Sequence, residues 1–219
     1  MTVFSRLSGP KTDVSSPSCA VITLHGYGAN GDNLFDVGQY LASDHTNCLV
    51  LSPNAPFDFE LAPLSGAYQW FGLPDLNQPT LMHGVENALP YLLEFIEDVE
   101  KTYHLESQRI ALVGFSQGCM MALRALYEKR FACVLGFSGL CIAPQSPVQR
   151  LNAPSTPVFL AHGMLDPIVP FMHLEHSKQI LSADGFSVQT HSSPYAGHTI
   201  DPQALEQARL FLHDHFSSF

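Results

Sequence analysis

The chain has 219 residues, of which 46% are hydrophobic and only 14% are charged. Because globular proteins usually carry about 25% charged residues, this composition excludes a largely disordered chain and indicates a large buried core. The formal net charge of −10 argues against nucleic acid and against anionic membrane surfaces as partners.

Apolar runs and amphipathic stretches alternate along the chain. Besides a weak edge strand at residues 3–7, strands are predicted at 19–24, 48–52, 110–113, 131–137, 157–161 and 188–191. Helices are predicted around 34–41, over 83–103, from 117 onward, at about 171–183 and after 201. This alternation is typical of an α/β fold with a mostly parallel central sheet and helices on both faces. The length fits one domain over residues 1–219.

The first predicted strand ends at a glycine-rich loop, His25-Gly26-Tyr27-Gly28-Ala29-Asn30-Gly31. Its G-x-G-x-x-G spacing after a strand is also the pattern of a dinucleotide-binding turn. Such a turn needs an acidic residue about twenty positions further on to hold the ribose. Residues 45–57 contain no Asp or Glu. We therefore favour a loop of backbone hydrogen-bond donors over a cofactor site.

Residues 54–82 follow neither strand nor helix periodicity and contain the only tryptophan, Trp70. Long connections of this kind are uncommon within compact domains and are usually lids or binding loops. Two interpretations stay open: the loop lines a pocket for an acyl chain, or it packs down as ordinary core cover. In the helix predicted at 83–103, Pro90 either introduces a kink or lies in the first turn after irregular residues.

The central feature is Gly114-Phe115-Ser116-Gln117-Gly118, a G-x-S-x-G between a predicted strand and a predicted helix. In this context the serine is expected on a sharp, strained turn with its hydroxyl exposed. The flanking glycines allow the strand and the helix to approach closely. Gly-Phe-Ser recurs at 136–138 and 185–187, but neither copy has the closing glycine. Ser116 is therefore the predicted nucleophile, and a purely structural turn is the alternative.

A serine nucleophile needs a general base and a third group that orients the base. Asp166 and His198 each follow a predicted strand. We expect them near Ser116, because the carboxyl ends of parallel strands share one edge of the sheet. The order Ser, Asp, His is that of the α/β-hydrolase arrangement. His25 and His162 also end strands, but each precedes a glycine, which suits bracing of a tight loop better than base catalysis.

Other titratable residues are weaker candidates. Asp184 and Asp201 also lie near the ends of predicted strands or helices and are alternatives to Asp166. Two histidine pairs lack a third ligand at a recognisable spacing, so no metal site is predicted. These pairs are His173 with His176 and His213 with His215.

Four ordered motifs resemble the phospholipase/carboxylesterase family of α/β-hydrolases, which includes the acyl-protein thioesterases. They are Leu24-His25-Gly26-Tyr27-Gly28, Gly114-Phe115-Ser116-Gln117-Gly118, His162-Gly163 with Asp166 and Val169-Pro170, and Gly197-His198. The resemblance implies that Ser116, Asp166 and His198 form a catalytic triad. It also implies an oxyanion hole made by the backbone N–H groups of Tyr27 and Gln117.

The resemblance extends to Trp70-Phe71, which looks like the Trp-Phe pair beside the family's acyl pocket. Leu73 is predicted to contact the substrate together with that pair. The chain departs from the family where Cys119 and Met120 follow Ser-Gln-Gly and where Gly72 follows Trp-Phe. These differences leave the expected chemistry untouched and bear on the choice of substrate.

The motifs together predict a serine carboxylesterase that forms an acyl-enzyme from small or lipid-like esters or thioesters and needs no metal or organic cofactor. One alternative is acyl-protein thioesterase or lysophospholipase specificity, with an acylated protein as a possible partner. A second is a non-catalytic hydrolase-fold binding protein, which the presence of all three triad residues disfavours. No particular oligomeric state is predicted.

The expected compartment follows from the N-terminus and the cysteines. Residues 1–10 contain no apolar signal core, and no apolar run reaches the length of a membrane span. The five cysteines are odd in number and show no C-x-x-C spacing, so they are interpreted as small buried apolar residues. We therefore predict a cytoplasmic protein without stable membrane insertion.

Overall fold

The computed structural model describes residues 7–75, 77–146 and 155–217. Of the edge strand predicted at residues 3–7, only Leu7 is among the described residues, and it does not belong to a strand. In the described parts of the chain, no helix is both long and apolar enough to cross a membrane.

The described residues form eight β-strands and five α-helices. The strands are β1 Cys19–Leu24, β2 Cys48–Leu51, β3 Phe57–Asp58, β4 Tyr68–Gln69, β5 Ile110–Phe115, β6 Cys133–Phe137, β7 Val158–Gly163 and β8 Val188–Ser193. The helices are α1 Asp32–Leu41, α2 Gln78–Tyr103, α3 Gln117–Ala125, α4 Met172–Ala183 and α5 Pro202–Phe216.

Six of the strands form one sheet in the order β2-β1-β5-β6-β7-β8, and every neighbouring pair in it is parallel. Successive side chains of a strand project to opposite faces. Ile22 accordingly packs in a cluster with α2, α3 and α4, whereas Val21 packs with α1 and α5. Because helices cover both faces, the central strands are apolar throughout. The predicted α/β class, with a parallel sheet between two helical layers, is confirmed.

The segment at 54–82 is more regular than the sequence predicted. β3 and β4 pair as a short antiparallel ribbon, and α2 begins at Gln78 rather than at residue 83. The early start has a local cause, because the side chain of Asn77 caps the helix by accepting a hydrogen bond from the N–H of Thr80 at 2.9 Å. The predicted aperiodic stretch therefore ends with the first turn of the longest helix.

α2 continues through Pro90, so the interpretation that placed this proline in the first turn is wrong. A proline inside a helix removes one backbone hydrogen bond, here the one to the carbonyl of Glu86. Both Pro90 and Glu86 lie on the exposed side of the helix, where water can solvate that carbonyl. The buried side, with Val85, Leu89 and Leu92, keeps its packing against the sheet.

Candidate active site

Ser116 forms a sharp turn between β5 and α3. Its backbone φ is +53°, a left-handed value that is uncommon for a non-glycine residue and indicates local strain. Its N–H donates a 2.9 Å hydrogen bond to the carbonyl of Phe137, which ends the neighbouring strand. A Cβ on Gly118 would lie 1.9 Å from the carbonyl oxygen of Leu24, so α3 can pack this closely on β1 only with glycine at that position. A Cβ on Gly114, in β5, would lie 2.4 Å from the carbonyl oxygen of Gly118 in α3, so the predicted close approach of strand and helix is confirmed.

Beside this turn, the loop after β1 approaches the start of α3. Gln117 is the first residue of α3, so its N–H has no acceptor within the helix. Tyr27 and Gly26 line a cavity of about 430 Å³ together with Ser116. Backbone donors at the N-terminus of a helix are suited to stabilising a developing negative charge.

His25 supports this loop from the protein interior through hydrogen bonds. Its ring is completely buried, with Nδ1 2.8 Å from the carbonyl oxygen of Gly26, and Nε2 accepts a 2.9 Å hydrogen bond from the N–H of Ala55. Burial lowers the pKa of His25 to about 4, although the bond to Gly26 favours the protonated form. His25 is therefore neutral at pH 7, with its proton on Nδ1. The predicted bracing role is confirmed.

Trp70 and Phe71 are buried, and Trp70 contacts the loop after β1. Trp70 has no exposed surface, and its indole Nε1 donates a 3.1 Å hydrogen bond to the carbonyl of His25. The side-chain amide of Gln117 accepts from the N–H of Trp70 at 2.8 Å and donates to the carbonyl of Phe71 at 2.7 Å. Direct contact of Trp70 with a substrate is therefore not supported, because its ring is already enclosed by the protein. These two residues instead join the loop after β1 to the start of α3.

Glu60 connects the segment at 54–82 to Tyr27. Its carboxylate accepts hydrogen bonds from the hydroxyl of Tyr27 and, at 3.1 Å, from the N–H of Leu73. The bond from Tyr27 and then the bond from Leu73 lower the pKa of Glu60. Burial and the contact with Glu60 raise the pKa of Tyr27 to about 12. The role of Glu60 was not predicted from the sequence, because no local pattern links it to Tyr27, 33 positions away.

Asp166 and His198 meet across the loops that follow β7 and β8. His198 Nδ1 donates to Asp166 Oδ2 at 2.8 Å, while Asp166 Oδ1 accepts from the N–H groups of Ile168 at 2.8 Å and Val169 at 2.9 Å. Burial raises the pKa of Asp166, but the hydrogen bonds from His198, Val169 and Ile168 outweigh it and leave the pKa below its usual value. Since an ionised carboxylate only accepts, Nδ1 carries the imidazole proton and Nε2 keeps a free lone pair.

His198 also lines the cavity of about 430 Å³ that contains Ser116 and Tyr27. The ring of Phe115 packs against its imidazole with centroids 4.9 Å apart, which holds the ring beside the Ser116 turn. The structure thus brings Ser116, His198 and Tyr27 to one cavity, with the carboxylate of Asp166 buried behind His198.

His162 makes a second contact with the acidic residue. Its Nε2 lies 2.9 Å from the carbonyl oxygen of Val169 and 3.3 Å from Asp166 Oδ2. Its predicted role in bracing a loop is confirmed by the bond to Val169. The contact of His162 with Asp166 was not predicted from the sequence.

A larger cavity of about 610 Å³ lies between the first turns of α2, the segment at 140–145 and the start of α4. It reaches α3 at Met120, about one turn beyond Ser116. Its apolar lining includes Leu81, Met82, Met120, Leu140, Ile142 and Ile168. His173 also borders it, and burial followed by the proximity of His162 and His176 lowers the pKa of His173. The cavity is therefore predominantly apolar and suits a hydrocarbon chain.

The other candidate acidic and histidine residues from the sequence analysis have structural partners or lie apart. Within residues 7–75, 77–146 and 155–217, no group of three or more His, Cys, Asp or Glu side chains is arranged to hold a metal ion. Asp201 caps α5 by accepting from the N–H groups of Gln203 and Ala204. Asp184 accepts a 2.7 Å hydrogen bond from the hydroxyl of Tyr127.

Comparisons with known proteins agree with this architecture. The family model for phospholipase/carboxylesterase matches residues 12–216. Acyl-protein thioesterase 1 from Debaryomyces hansenii is 27% identical over 213 residues, covering 89% of this chain and 90% of that protein. Esterase YpfH from Escherichia coli is 24% identical and covers 86% of this chain and 79% of that protein.

Among solved structures, the crystal structure of esterase PE8 matches with a TM-score of 0.87 and 33% identity, covering 95% of this chain and 99% of that one. A carboxylesterase from Bacillus cereus, at 20% identity and a TM-score of 0.74, shares the fold. Since the family model spans nearly the whole chain, this protein belongs to the phospholipase/carboxylesterase family of α/β-hydrolases.

Proposed function

We propose that Ser116, His198 and Asp166 are the catalytic triad of this carboxylic-ester hydrolase. The observation that carries the proposal is the 2.8 Å hydrogen bond between His198 Nδ1 and Asp166 Oδ2, which leaves Nε2 as a base in the cavity that Ser116 lines. A nucleophile, a base and a group that orients the base are the three parts that serine hydrolysis requires.

In the proposed reaction, His198 Nε2 accepts the Ser116 proton as Oγ attacks the carbonyl carbon of an ester or thioester. Asp166 holds the imidazole and stabilises its cation. The N–H groups of Tyr27 and Gln117 stabilise the oxyanion, and losing one such donor typically raises a barrier by about 2.7–4 kcal/mol. His198 then protonates the leaving alcohol or thiol, and water hydrolyses the acyl-enzyme. Apart from water, these proposed steps use only side chains and backbone groups of this chain, without a metal or organic cofactor.

For the acyl group, we propose the apolar cavity of about 610 Å³. Its volume is in the range of ligand pockets, and its lining is predominantly apolar. This cavity also favours a second candidate specificity, that of an acyl-protein thioesterase or lysophospholipase. Relatives named acyl-protein thioesterase 1 support that candidate, with an acylated protein as a partner.

We also propose that residues 1–219 form one domain, which the family match over 12–216 supports. A cytoplasmic location is proposed as well. Its support is that all five cysteines are buried thiols outside any disulfide, as expected in a reducing compartment.

The role of Ser116 is tested with p-nitrophenyl butyrate. Ser116→Ala should lower turnover by at least about 10⁴-fold, because the nucleophile of a serine hydrolase cannot be replaced by the remaining groups. Ser187→Ala is the matched control, since Ser187 belongs to another Gly-Phe-Ser and lies exposed outside the cavity. A fluorophosphonate should label Ser116 in the wild type. Equal turnover of Ser116→Ala and wild type would end the proposal.

The acyl cavity is tested with esters of increasing chain length. Met82→Trp should fill part of the cavity and move the optimum toward shorter acyl groups, because Met82 lines it. Met172→Trp should leave the optimum unchanged, because Met172 is 72% exposed and lies outside the cavity. An identical chain-length profile for Met82→Trp and wild type would refute this assignment. A wild-type optimum at short acyl groups would disfavour the lipid-directed specificity.

A further inference from the structure

Two cysteines lie directly opposite each other at the end of the sheet that is remote from Ser116. Cys19 begins β1, Cys48 begins β2, and the two are Cα partners in the parallel ladder. Neighbouring strands lie about 4.7–4.9 Å apart, which is within the Cα separation of about 4.4–6.8 Å usual for a disulfide. Both side chains belong to the cluster beneath α1 and α5, so they project from the same face. The strands therefore already place both thiols where a bond between them can form.

One of the two cysteines, Cys19, borders a cavity from which a small solute could approach it. Cys19 is 7% exposed and borders a cavity of about 290 Å³ that is also lined by Arg109, His45 and Asp44. The other cysteine on this face of the sheet, Cys133, is completely buried, and its ladder partner is Ala111. Access to a cavity and a facing thiol thus distinguish the Cys19–Cys48 pair from Cys133.

The two thiols differ in their readiness to ionise. The neighbouring Cys48 thiol lowers the pKa of Cys19 against the effect of burial, and the positive charge of Arg109 lowers it further. The same contact and burial raise the pKa of Cys48. Since the thiolate is the reactive form of cysteine, Cys19 is the thiol that reacts first.

We propose that Cys19 and Cys48 form a reversible redox site at which a hydroperoxide converts the two thiols to a disulfide. The Cys19 thiolate attacks a peroxide oxygen, the O–O bond breaks, and Cys19 becomes a sulfenic acid while the second oxygen leaves as water or an alcohol. The Cys48 sulfur then attacks the Cys19 sulfur, the S–S bond forms, and the S–O bond breaks with release of water. The thiols lose two electrons and two protons in total, and the peroxide takes them up.

The disulfide protects Cys19, because capture by Cys48 removes the sulfenic acid before it is oxidised irreversibly to a sulfinic acid. A dithiol reductant restores both thiols by exchange. The site goes beyond ester hydrolysis and lies at the opposite edge of the sheet from the loops that carry Ser116, Asp166 and His198. Its formation should therefore leave ester turnover unchanged.

The test treats the folded wild-type protein with hydrogen peroxide and measures intact mass and peptides. We expect a loss of about 2 Da that dithiothreitol reverses, and a cross-linked peptide pair containing Cys19 and Cys48. No Lys or Arg lies between these cysteines, so non-reducing digestion uses chymotrypsin, which cleaves between them at Phe35 and Tyr40.

Two variants sharpen the test. In Cys48→Ala, the cross-linked pair should be lost, and Cys19 should instead gain about 32 Da as the sulfinic acid. In Cys133→Ala, the cross-link should persist, because that cysteine faces no partner thiol. Absence of the Cys19–Cys48 pair in the oxidised wild type, or an unmodified Cys19 in Cys48→Ala, would overturn the proposal. These readouts need no ester hydrolysis, so their failure leaves the proposed catalytic function standing.

Discussion

Protonation of His25 should destabilise the protein, and the structure allows the effect to be calculated. His25 is buried, it accepts a hydrogen bond from the N–H of Ala55, and burial lowers its pKa to about 4. An unfolded histidine titrates near pH 6.5, so between about pH 6.5 and 4 the unfolded chain binds the proton more readily than the folded chain. The stability contributed by neutral His25 is therefore complete above this window and is lost as the pH falls through it.

The two pKa values set the size of the loss. For one titrating group, proton linkage changes the free energy of unfolding by up to about 1.4 kcal/mol per pH unit. For a folded value of about 4 against about 6.5 unfolded, the free energy of unfolding should fall by about 2 kcal/mol at pH 5 and about 3 kcal/mol at pH 4. A loss of this size is a large fraction of a typical folding free energy of about 5–15 kcal/mol.

The assay is urea unfolding at pH 7, 6 and 5 for wild type and His25→Gln. A glutamine side chain offers an oxygen that can accept from Ala55 N–H but has no proton to bind in this range. The variant should be less stable than wild type at pH 7. Its free energy of unfolding should lack the pH dependence that His25 contributes, so the difference in free energy of unfolding between the two proteins should narrow by about 2 kcal/mol from pH 7 to pH 5. Other titrating groups are common to both proteins and cancel in the difference. Parallel stability curves for the two proteins would refute the reasoning.

Three further predictions concern single positions. Asp166→Asn should lower kcat for p-nitrophenyl butyrate by about 10⁴-fold with the fold intact by circular dichroism, because the amide favours the wrong imidazole tautomer; a loss below tenfold would contradict this role. Gly118→Ala should lower the free energy of urea unfolding by at least about 3 kcal/mol, since its methyl would collide with the carbonyl of Leu24; wild-type stability would contradict the close approach. Asp201→Ala should lower the free energy of unfolding, measured by thermal unfolding, by about 1 kcal/mol, because α5 loses its N-cap. Activity should be retained.

Features that depend on residues close together in the sequence were predicted well. The apolar runs located β1, β2, β5, β6 and β7, because a strand buried on both faces is apolar in itself. The G-x-S-x-G located the turn at Ser116, because the glycines that permit the turn lie only two positions before and after it. His25 and His162 were assigned to loop bracing on equally local grounds, and their hydrogen bonds bear this out.

Features that depend on packing between distant segments were predicted less well. Trp70 was expected beside a substrate, but its environment is set by Gln117, which lies 47 positions further along the chain. The large apolar cavity was expected along the segment at 54–82, but only the end of that segment, residues 78–82 at the start of α2, lines it, together with the 140–145 segment and α4. No sequence pattern within any one of these segments indicates that a cavity lies between them.

The sequence by itself determined the α/β class, the strand-to-helix turn at Ser116 and the chain order of Ser116, Asp166 and His198, because periodicity, glycine placement and residue order are properties of neighbouring positions. Only the tertiary structure decided that Glu60 binds Tyr27, that Trp70 is enclosed and that Cys19 faces Cys48. Those contacts join positions about thirty or more residues apart, and they arise only when the sheet assembles and side chains compete for the same interior space.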